Sequence, residues 1–243
     1  MNNFPRPRST AAARWCFHGF AAATLALLLG GCNKPAASSG AEPAANPVRT
    51  EEVRSKAGQG DAKAQVALGK LILEGRDART DYAEAASWFQ KAAEQGSAEG
   101  QFYLASLYEA GRGVARNEAE AVRWNRKAAE AGHADAQYAL ALLYALGRGT
   151  PKDKPESVKW FRAAADQGLT EAQFNLAQRY QHGQGVETNL AEAYKWFMVA
   201  ARQGLPDAAK VGRQLKAELS PAQIAEGERF AAGFTAKAAT THP

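Results

Sequence analysis

Apolar residues recur along most of the chain at spacings of three and four, the periodicity of an amphipathic α-helix. Between residues 97 and 132, one such run is followed by a glycine-rich turn and then by a second run. In the first run Gln101, Leu104 and Tyr108 form one stripe on a helix, and Gly111 ends it. The pattern predicts an all-α protein built from pairs of helices that are joined by short turns.

The helix pair repeats with a period of 36 residues. Tryptophan recurs at this interval without insertion or deletion, and so does glycine. The positions are Trp88, Trp124, Trp160 and Trp196, and Gly60, Gly96, Gly132, Gly168 and Gly204. Four units follow, at 61–96, 97–132, 133–168 and 169–204. Because one helix pair cannot bury its apolar stripe alone, we expect the units to stack into an α-solenoid.

Each second helix begins with an aspartate or asparagine, and a glutamate follows three residues later. These residues are Asp81, Asn117, Asp153 and Asn189, with Glu84, Glu120, Glu156 and Glu192. The spacing predicts an arrangement like a capping box, in which the first side chain accepts a backbone N–H and the glutamate reaches back. The tryptophan of the same helix lies near paired alanines, and we interpret it as filling space between helices, not as a ligand site.

The segments that flank the four units are predicted to cap the solenoid. Residues 50–60 are expected to form an N-terminal capping helix. Residues 205–234 are expected to form a partial repeat and a final helix, which begins with the capping box and proline of Ser220-Pro221-Ala222-Gln223. Residues 235–243 are predicted to be a disordered tail.

The first 49 residues have the composition of an export signal and a tether. Residues 1–31 carry three arginines and a short apolar run, which is about half the roughly 20 residues that a membrane-spanning helix needs. The sequence Leu29-Gly30-Gly31-Cys32 resembles a bacterial lipobox, which implies cleavage before Cys32 and acylation of that cysteine, for example with palmitate. An ordinary cleaved signal and an uncleaved anchor are the alternatives. Residues 32–49 are rich in proline, alanine and serine and are predicted to be flexible.

Charge and composition argue against several classes of function. The net charge of +5 falls when 1–31 is removed, since that segment holds three arginines and no acid, leaving 27 basic and 25 acidic residues. So small a charge gives no electrostatic case for binding nucleic acid. The histidines after the signal are His133, His182 and His242, in no metal-binding pattern. We predict no metal, no cofactor and no enzymatic activity.

The four units resemble the Sel-1-like repeat family, which is related to the tetratricopeptide repeats. The shared pattern has A-x-x-x-L and Y-x-x-G-x-G in the first half, and E-A-x-x-W and A-A-x-x-G in the second. The resemblance implies a right-handed superhelix of antiparallel helix pairs that mediates protein–protein interaction, often as an adaptor. Asp77 in the first unit and Asn125 in the second depart from it.

The resemblance also leaves an enzymatic alternative open. Some secreted members of the family are linked to binding or hydrolysis of β-lactams or cell wall, and those members carry a disulfide in each repeat. Here the two cysteines are Cys16 and Cys32, so no repeat contains one. We therefore predict a non-enzymatic scaffold that is tethered to the membrane through Cys32 and faces the periplasm. Asn33 after the cysteine slightly favours the outer membrane, by resemblance to lipoprotein sorting in enteric bacteria.

A binding surface for a protein or peptide partner is predicted on the first helix of each unit. Positions broadly opposite the repeated stripe vary between units, so they are free to encode recognition. The tenth position holds Lys70, Ser106, Leu142 and Gln178, and the sixth holds an aromatic row of Phe102, Tyr138 and Phe174. We expect this face to line the concave groove; a merely solvated or inter-helix surface is the alternative.

Overall fold

The structure is a computed structural model that describes residues 47–74 and 81–237. Within these ranges it contains eleven α-helices and no strand. The helices are α1 (Pro47–Gly58), α2 (Ala62–Leu73), α3 (Tyr82–Glu94), α4 (Ala98–Ala110), α5 (Glu118–Glu130), α6 (Ala134–Leu146), α7 (Lys154–Asp166), α8 (Thr170–His182), α9 (Leu190–Arg202), α10 (Pro206–Leu215) and α11 (Pro221–Gly233). A short 3-10 helix, Lys216–Glu218, follows α10. The predicted signal, Cys32, most of the predicted tether, Gly75 and Asp77 lie outside the described residues.

The helices form the predicted α-solenoid of 36-residue units. We call α2, α4, α6 and α8 the A helices and α3, α5, α7 and α9 the B helices. From α1 to α10, each helix packs against its neighbours along the chain. At the ends, α1 packs on α2 in the place of a preceding B helix, whereas α10 and α11 both pack on α9. The predicted caps therefore cover both ends of the stack.

The predicted N-caps are present, but the glutamates do not reach back. The Asp81 carboxylate accepts hydrogen bonds from the backbone N–H groups of Ala83 and Glu84, at 2.9 and 3.0 Å. The equivalent bonds form at Asn117, Asp153 and Asn189. The four glutamates instead accept from a tryptophan or a basic side chain three or four residues further along. The complete capping box forms at Ser220, as predicted.

Phenylalanines, more than tryptophans, fill the deepest core of the stack. Phe89, Phe161 and Phe197 have no exposed surface, and each directly follows a repeated tryptophan. Trp124 and Trp196 keep 6% of their surface exposed, and the other two tryptophans are half-buried. The paired alanines of the B helices are almost all buried and let neighbouring helices approach closely.

The turns after α4, α6 and α8 each fit against the B helix of the preceding unit. Gly149 has a φ of +65°, and a Cβ added there would lie 2.2 Å from the carbonyl oxygen of Glu118, the first residue of α5. Gly113 and Gly185 make the same approach to Tyr82 and Lys154. A side chain at these positions would separate the two units, which explains the repeated Gly-x-Gly pattern.

Two segment boundaries differ from the prediction. The first helix begins at Pro47 and so includes the last three residues of the predicted tether, because proline is compatible with a first helical turn. At the other end, Lys237 lies within the predicted disordered tail but is held against α7. Its backbone N–H and its ammonium both bond Asp166, each at 2.8 Å.

Candidate interaction surface

A row of buried glutamines joins each unit to the B helix before it. The fifth position of each unit is glutamine, and its Nε2 donates to a backbone carbonyl near the end of that B helix at 3.1 to 3.2 Å. The pairs are Gln65 with Ala57, Gln101 with Ala93, Gln137 with Ala129, and Gln173 with Ala165. Since buried carbonyls need partners, these bonds fix the register between consecutive units. The candidate face of the A helices is built on this register.

The residues predicted at the tenth position lie on successive A helices and are all partly exposed. Lys70 forms an ion pair of 3.0 Å with Glu99 of the next A helix, and this hydrogen bond raises the pKa of Lys70. The Ser106 hydroxyl donates to the carbonyl of Phe102 in the turn below. Leu142 packs against the core of the C-terminal half, and Gln178 completes the row. The four positions therefore form a partly open strip across the units.

The aromatic row at the sixth position is packed between helices more tightly than the sequence predicted. Tyr138 is 5% exposed, and its ring centroid lies 5.7 Å from that of Phe161 on α7. Phe174 makes a similar edge contact with Phe197, at 5.4 Å. Phe102 stacks on the imidazole of His133 at 4.9 Å. Phe102 and Phe174 keep part of their surface exposed, whereas Tyr138 is buried.

Leu146 is the most prominent apolar group on this side of the A helices. It occupies the fourteenth position of its unit and is 52% exposed. His182, at the same position of the next unit, is also exposed. The candidate face therefore presents Leu146, His182, Gln178 and the edge of Leu142, a mixture of apolar and polar groups suited to contact with another protein.

His133 is a structural residue at the junction of the second and third units. Its Nδ1 accepts the backbone N–H of Ala136 at 3.3 Å, so the ring caps the N-terminus of α6. Burial lowers the pKa of His133, and the nearby carboxylates of Asp135 and Glu99 oppose that shift. The ring is therefore neutral at pH 7, as its accepting nitrogen requires.

Neither a metal centre nor a membrane span is found in the part of the chain that the structure describes. No group of three or more His, Cys, Asp or Glu residues in 47–74 and 81–237 is placed to hold a metal ion. None of the helices in the same ranges has both the length and the apolarity to cross a bilayer.

The stacked helix pairs place the protein among the α-solenoid repeat proteins, and comparison with known families identifies the class. The Sel1 repeat model matches four consecutive segments that cover more than half of the chain, 62–97, 98–133, 134–169 and 170–205. The chain belongs to the Sel1 repeat family. Sel1 repeats are protein-interaction modules, and proteins of this family and fold are typically non-catalytic scaffolds.

Solved structures support the same assignment. A protective antigen present in uropathogenic Escherichia coli strains, which displays an SLR fold, is 37% identical with a TM-score of 0.67. That match covers 75% of this chain but 40% of the antigen. A Sel1 repeat protein from Oxalobacter formigenes is 29% identical with a TM-score of 0.64, covering 78% of this chain and 86% of the other. The comparison with curated proteins gives no match.

Proposed function

We propose that this protein is a non-enzymatic scaffold that is lipid-anchored in the bacterial envelope and holds a protein partner on the A-helix face. The observation that carries the proposal is the partly exposed strip across four Sel1 repeats, where residues differ from unit to unit and Leu146 is 52% exposed. The buried stripe of the A helices is constant, whereas the outer strip varies. Outer residues can therefore change to suit a partner without disturbing the packing of the stack.

The burial of Tyr138 changes which residues should carry the contact. A charged group at Tyr138 would enter the packing against Phe161, so loss of binding there would not separate recognition from folding. Leu146 and Gln178 are better probes, because each is exposed to solvent at least in part. The partner surface is expected to be partly apolar, to match Leu146 and the edge of Leu142.

The experiment compares two double variants that change the charge equally. Leu146→Glu with Gln178→Glu places two carboxylates on the A-helix face. The control, Ser87→Glu with Ala119→Glu, places two on exposed positions of B helices. Crosslinking and mass spectrometry of the tagged protein in its native envelope should identify a partner with the natural chain and with the control, but not with the first variant. Capture that is equal in all three would overturn the assignment of this face.

The anchor is tested separately from the surface. Acylation at Cys32 predicts that radiolabelled palmitate is incorporated into the natural chain and that processing is sensitive to globomycin. Cys32→Ser should abolish the label and release the protein from the membrane fraction. Retention of the label in Cys32→Ser would refute the lipid anchor while leaving the interaction role intact. Fractionation of the envelope would then assign the protein to the inner or the outer membrane.

A further inference from the structure

The last described residues of the chain cross from α9 to the end of α7 and cover the groove between these two B helices. Phe230 and Phe234 make edge contacts with the ring of Trp196, with centroids 5.6 and 5.8 Å from that of the indole. Trp196 is 6% exposed beneath them. Residues 226–237 therefore act as an internal ligand of the α7–α9 groove.

Opposite charges hold both ends of this segment. The carboxylate of Glu226 pairs with Lys195 of α9 at 2.7 Å, and the ammonium of Lys237 pairs with Asp166 of α7 at 2.8 Å. The backbone N–H of Lys237 also donates to the carbonyl oxygen of Asp166, at 2.8 Å. The segment passes Gly168 so closely that a Cβ there would lie 2.9 Å from one of its side chains. The α7–α9 groove thus holds an acid, two aromatic rings and a lysine, in that order along the chain.

The groove between α5 and α7 has the same types of residue at the equivalent positions, 36 residues earlier in the chain. The glycine, the tryptophan and both basic residues are identical, and a glutamate takes the place of the aspartate. These residues are Gly132, Trp160, Lys159, Arg126 and Glu130, which correspond to Gly168, Trp196, Lys195, Arg162 and Asp166.

The internal contacts of the two grooves are also the same. Arg126 donates to the hydroxyl of Tyr144 at 2.6 Å, and the arginine and tyrosine of the α7–α9 groove are bonded in the same way. Lys159 bonds Glu156 of its own helix at 3.0 Å, and Lys195 makes the equivalent bond at 2.8 Å. In the α7–α9 groove this bond does not prevent the lysine from pairing with the segment. The α5–α7 groove is therefore built to receive a similar segment.

The groups that would receive such a segment are accessible in the α5–α7 groove. Glu130 is exposed, and within the described ranges its carboxylate makes neither a hydrogen bond nor an ion pair, whereas Asp166 makes both with Lys237. Trp160 is half-buried, and among the described residues no second aromatic ring packs on it. The Lys159 ammonium lies 5.3 Å from the centroid of its ring. These groups are left for a segment that the described part of the chain does not supply.

The groove between α3 and α5 is lined differently. It contains a cavity of about 480 Å³, but Gln90 stands where the other two grooves have an arginine. Two cations, Arg123 and Lys127, lie 4.3 and 4.6 Å from the centroid of the Trp124 ring. Trp124 is 6% exposed, so this groove offers little aromatic surface. The α5–α7 groove is the closer match to the one that the chain fills itself.

We propose that the α5–α7 groove binds a segment of a protein partner that has two aromatic residues four positions apart and a lysine three positions after the second. The aromatic rings pack on Trp160 and the lysine pairs with Glu130. An acidic residue four positions before the first aromatic residue meets Lys159. Both grooves carry two positive charges and one negative charge at the same positions, so both are complementary to a segment with this order of charges. The groove adds a second contact surface to the proposed interaction role, on the B helices, and it does not depend on the A-helix face.

The probe is the peptide acetyl-Glu-Gly-Glu-Arg-Phe-Ala-Ala-Gly-Phe-Thr-Ala-Lys-amide, which has the sequence of residues 226–237. It is titrated into the full chain labelled with nitrogen-15. The readout is the indole N–H resonance of Trp160, identified by its loss in Trp160→Phe. The peptide should shift this resonance saturably, whereas the Trp196 resonance should not move, because the chain's own segment covers that ring. A peptide with alanine in place of both phenylalanines should bind at least tenfold more weakly.

An exchange of charges tests the contact at Glu130. Glu130→Lys should weaken binding of the peptide about fivefold or more, because an attraction between exposed charges becomes a repulsion. The same variant should prefer a peptide that ends in glutamate to one that ends in lysine. Glu94→Lys makes the same change at the equivalent exposed position of α3 and is the matched control, which should bind as the natural chain does. An unchanged Trp196 resonance verifies that each variant is folded.

Three results would overturn the groove assignment. They are the absence of a saturable shift at Trp160, equal affinity for the peptide without phenylalanine, and undiminished binding by Glu130→Lys. Two further results would replace the protein partner by another occupant. A dimer in sedimentation that Glu130→Lys abolishes would assign the groove to a second copy of the chain. Tighter binding of the peptide after removal of residues 238–243 would assign it to the chain's own tail.

The scaffold role is judged independently of the groove. Crosslinking in the native envelope is repeated with Glu130→Lys and with Glu94→Lys. If a partner crosslinks to Glu130→Lys as to the natural chain, but not to the Leu146→Glu and Gln178→Glu variant, the interaction function stands and the groove inference fails. If Glu130→Lys loses the partner and Glu94→Lys retains it, the groove is part of the interface.

Discussion

Replacing Gly149 by alanine tests how closely consecutive units must approach. The added Cβ would lie 2.2 Å from the carbonyl oxygen of Glu118 and 2.4 Å from its carbonyl carbon. Ordinary van der Waals separation for such atoms is about 3.5 Å, so the turn and the start of α5 must move apart by about 1 Å. Backbone atoms at both sides of the contact leave no flexible side chain to absorb that movement.

Two terms set the expected loss in the free energy of unfolding. A non-glycine residue in the left-handed region costs about 1–2 kcal/mol, and Gly149 has a φ of +65°. Forcing extra volume into a packed contact adds about 1–3 kcal/mol. Together they predict a loss of about 2–5 kcal/mol in the free energy of unfolding. Gly96→Ala is the matched control, because Gly96 has a φ of +86° but its added Cβ would meet nothing within 4 Å.

The assay is urea unfolding followed by far-UV circular dichroism, with the free energy taken from the midpoint and slope. Gly96→Ala should lose the backbone term alone, so Gly149→Ala should be less stable than the control by about 1–3 kcal/mol. Hydrogen exchange should locate the additional loss in α5 and α6, the helices beside the contact. Equal costs for the two variants would refute the argument that the turn requires glycine for close approach.

Three further perturbations test the polar contacts of the stack. Gln167→Ala should lower the free energy of unfolding, measured in urea, by about 1–3 kcal/mol, because it leaves Oε1 of Gln137 buried without a donor. The same substitution in a Gln137→Leu background should lower it much less. Asn189→Ala should cost about 0.5–2 kcal/mol in the same assay, since it removes the cap of α9. The pKa of His133 is lowered by burial, so the folded state resists the proton that the unfolded chain accepts near pH 6.5. The free energy of unfolding should therefore fall as the pH drops below about 6.5. His133→Ser keeps a capping side chain and should show a smaller fall between about pH 7.5 and pH 5. An equal fall in the variant would contradict the conclusion that His133 is the group responsible.

The repeated pattern was sufficient to predict the fold, because two of its signals do not depend on details of packing. The interval of 36 residues marks where each helix pair begins, and the Asx residues mark where each B helix begins. Both were confirmed to within a few residues. The role of the glutamates was predicted incorrectly, since a side chain three residues into a helix can reach back to the cap or forward to position i+4. At Glu84 and Glu156 the indole N–H of the tryptophan decides the outcome.

The exposure of the candidate face was predicted less well, for a geometric reason. A helical wheel assigns one buried face to an isolated helix, whereas an A helix in the stack touches B helices and also the next A helix. Tyr138 lies at the edge of the predicted open face, where it packs on Phe161 of α7 and its hydroxyl accepts from Asn175 of α8.

The glutamine contacts and the glycine approach both join a unit to the one before it, and this makes the chain modular in length. Removing residues 133–168 would bring Gln173 opposite the carbonyl of Ala129 and Gly185 opposite Glu118, so each junction would be rebuilt from equivalent atoms. A duplication of the same 36 residues would add a junction without disturbing the others. The proposed recognition surface can therefore be lengthened or shortened by whole 36-residue units. No compensating substitution is needed in the rest of the stack.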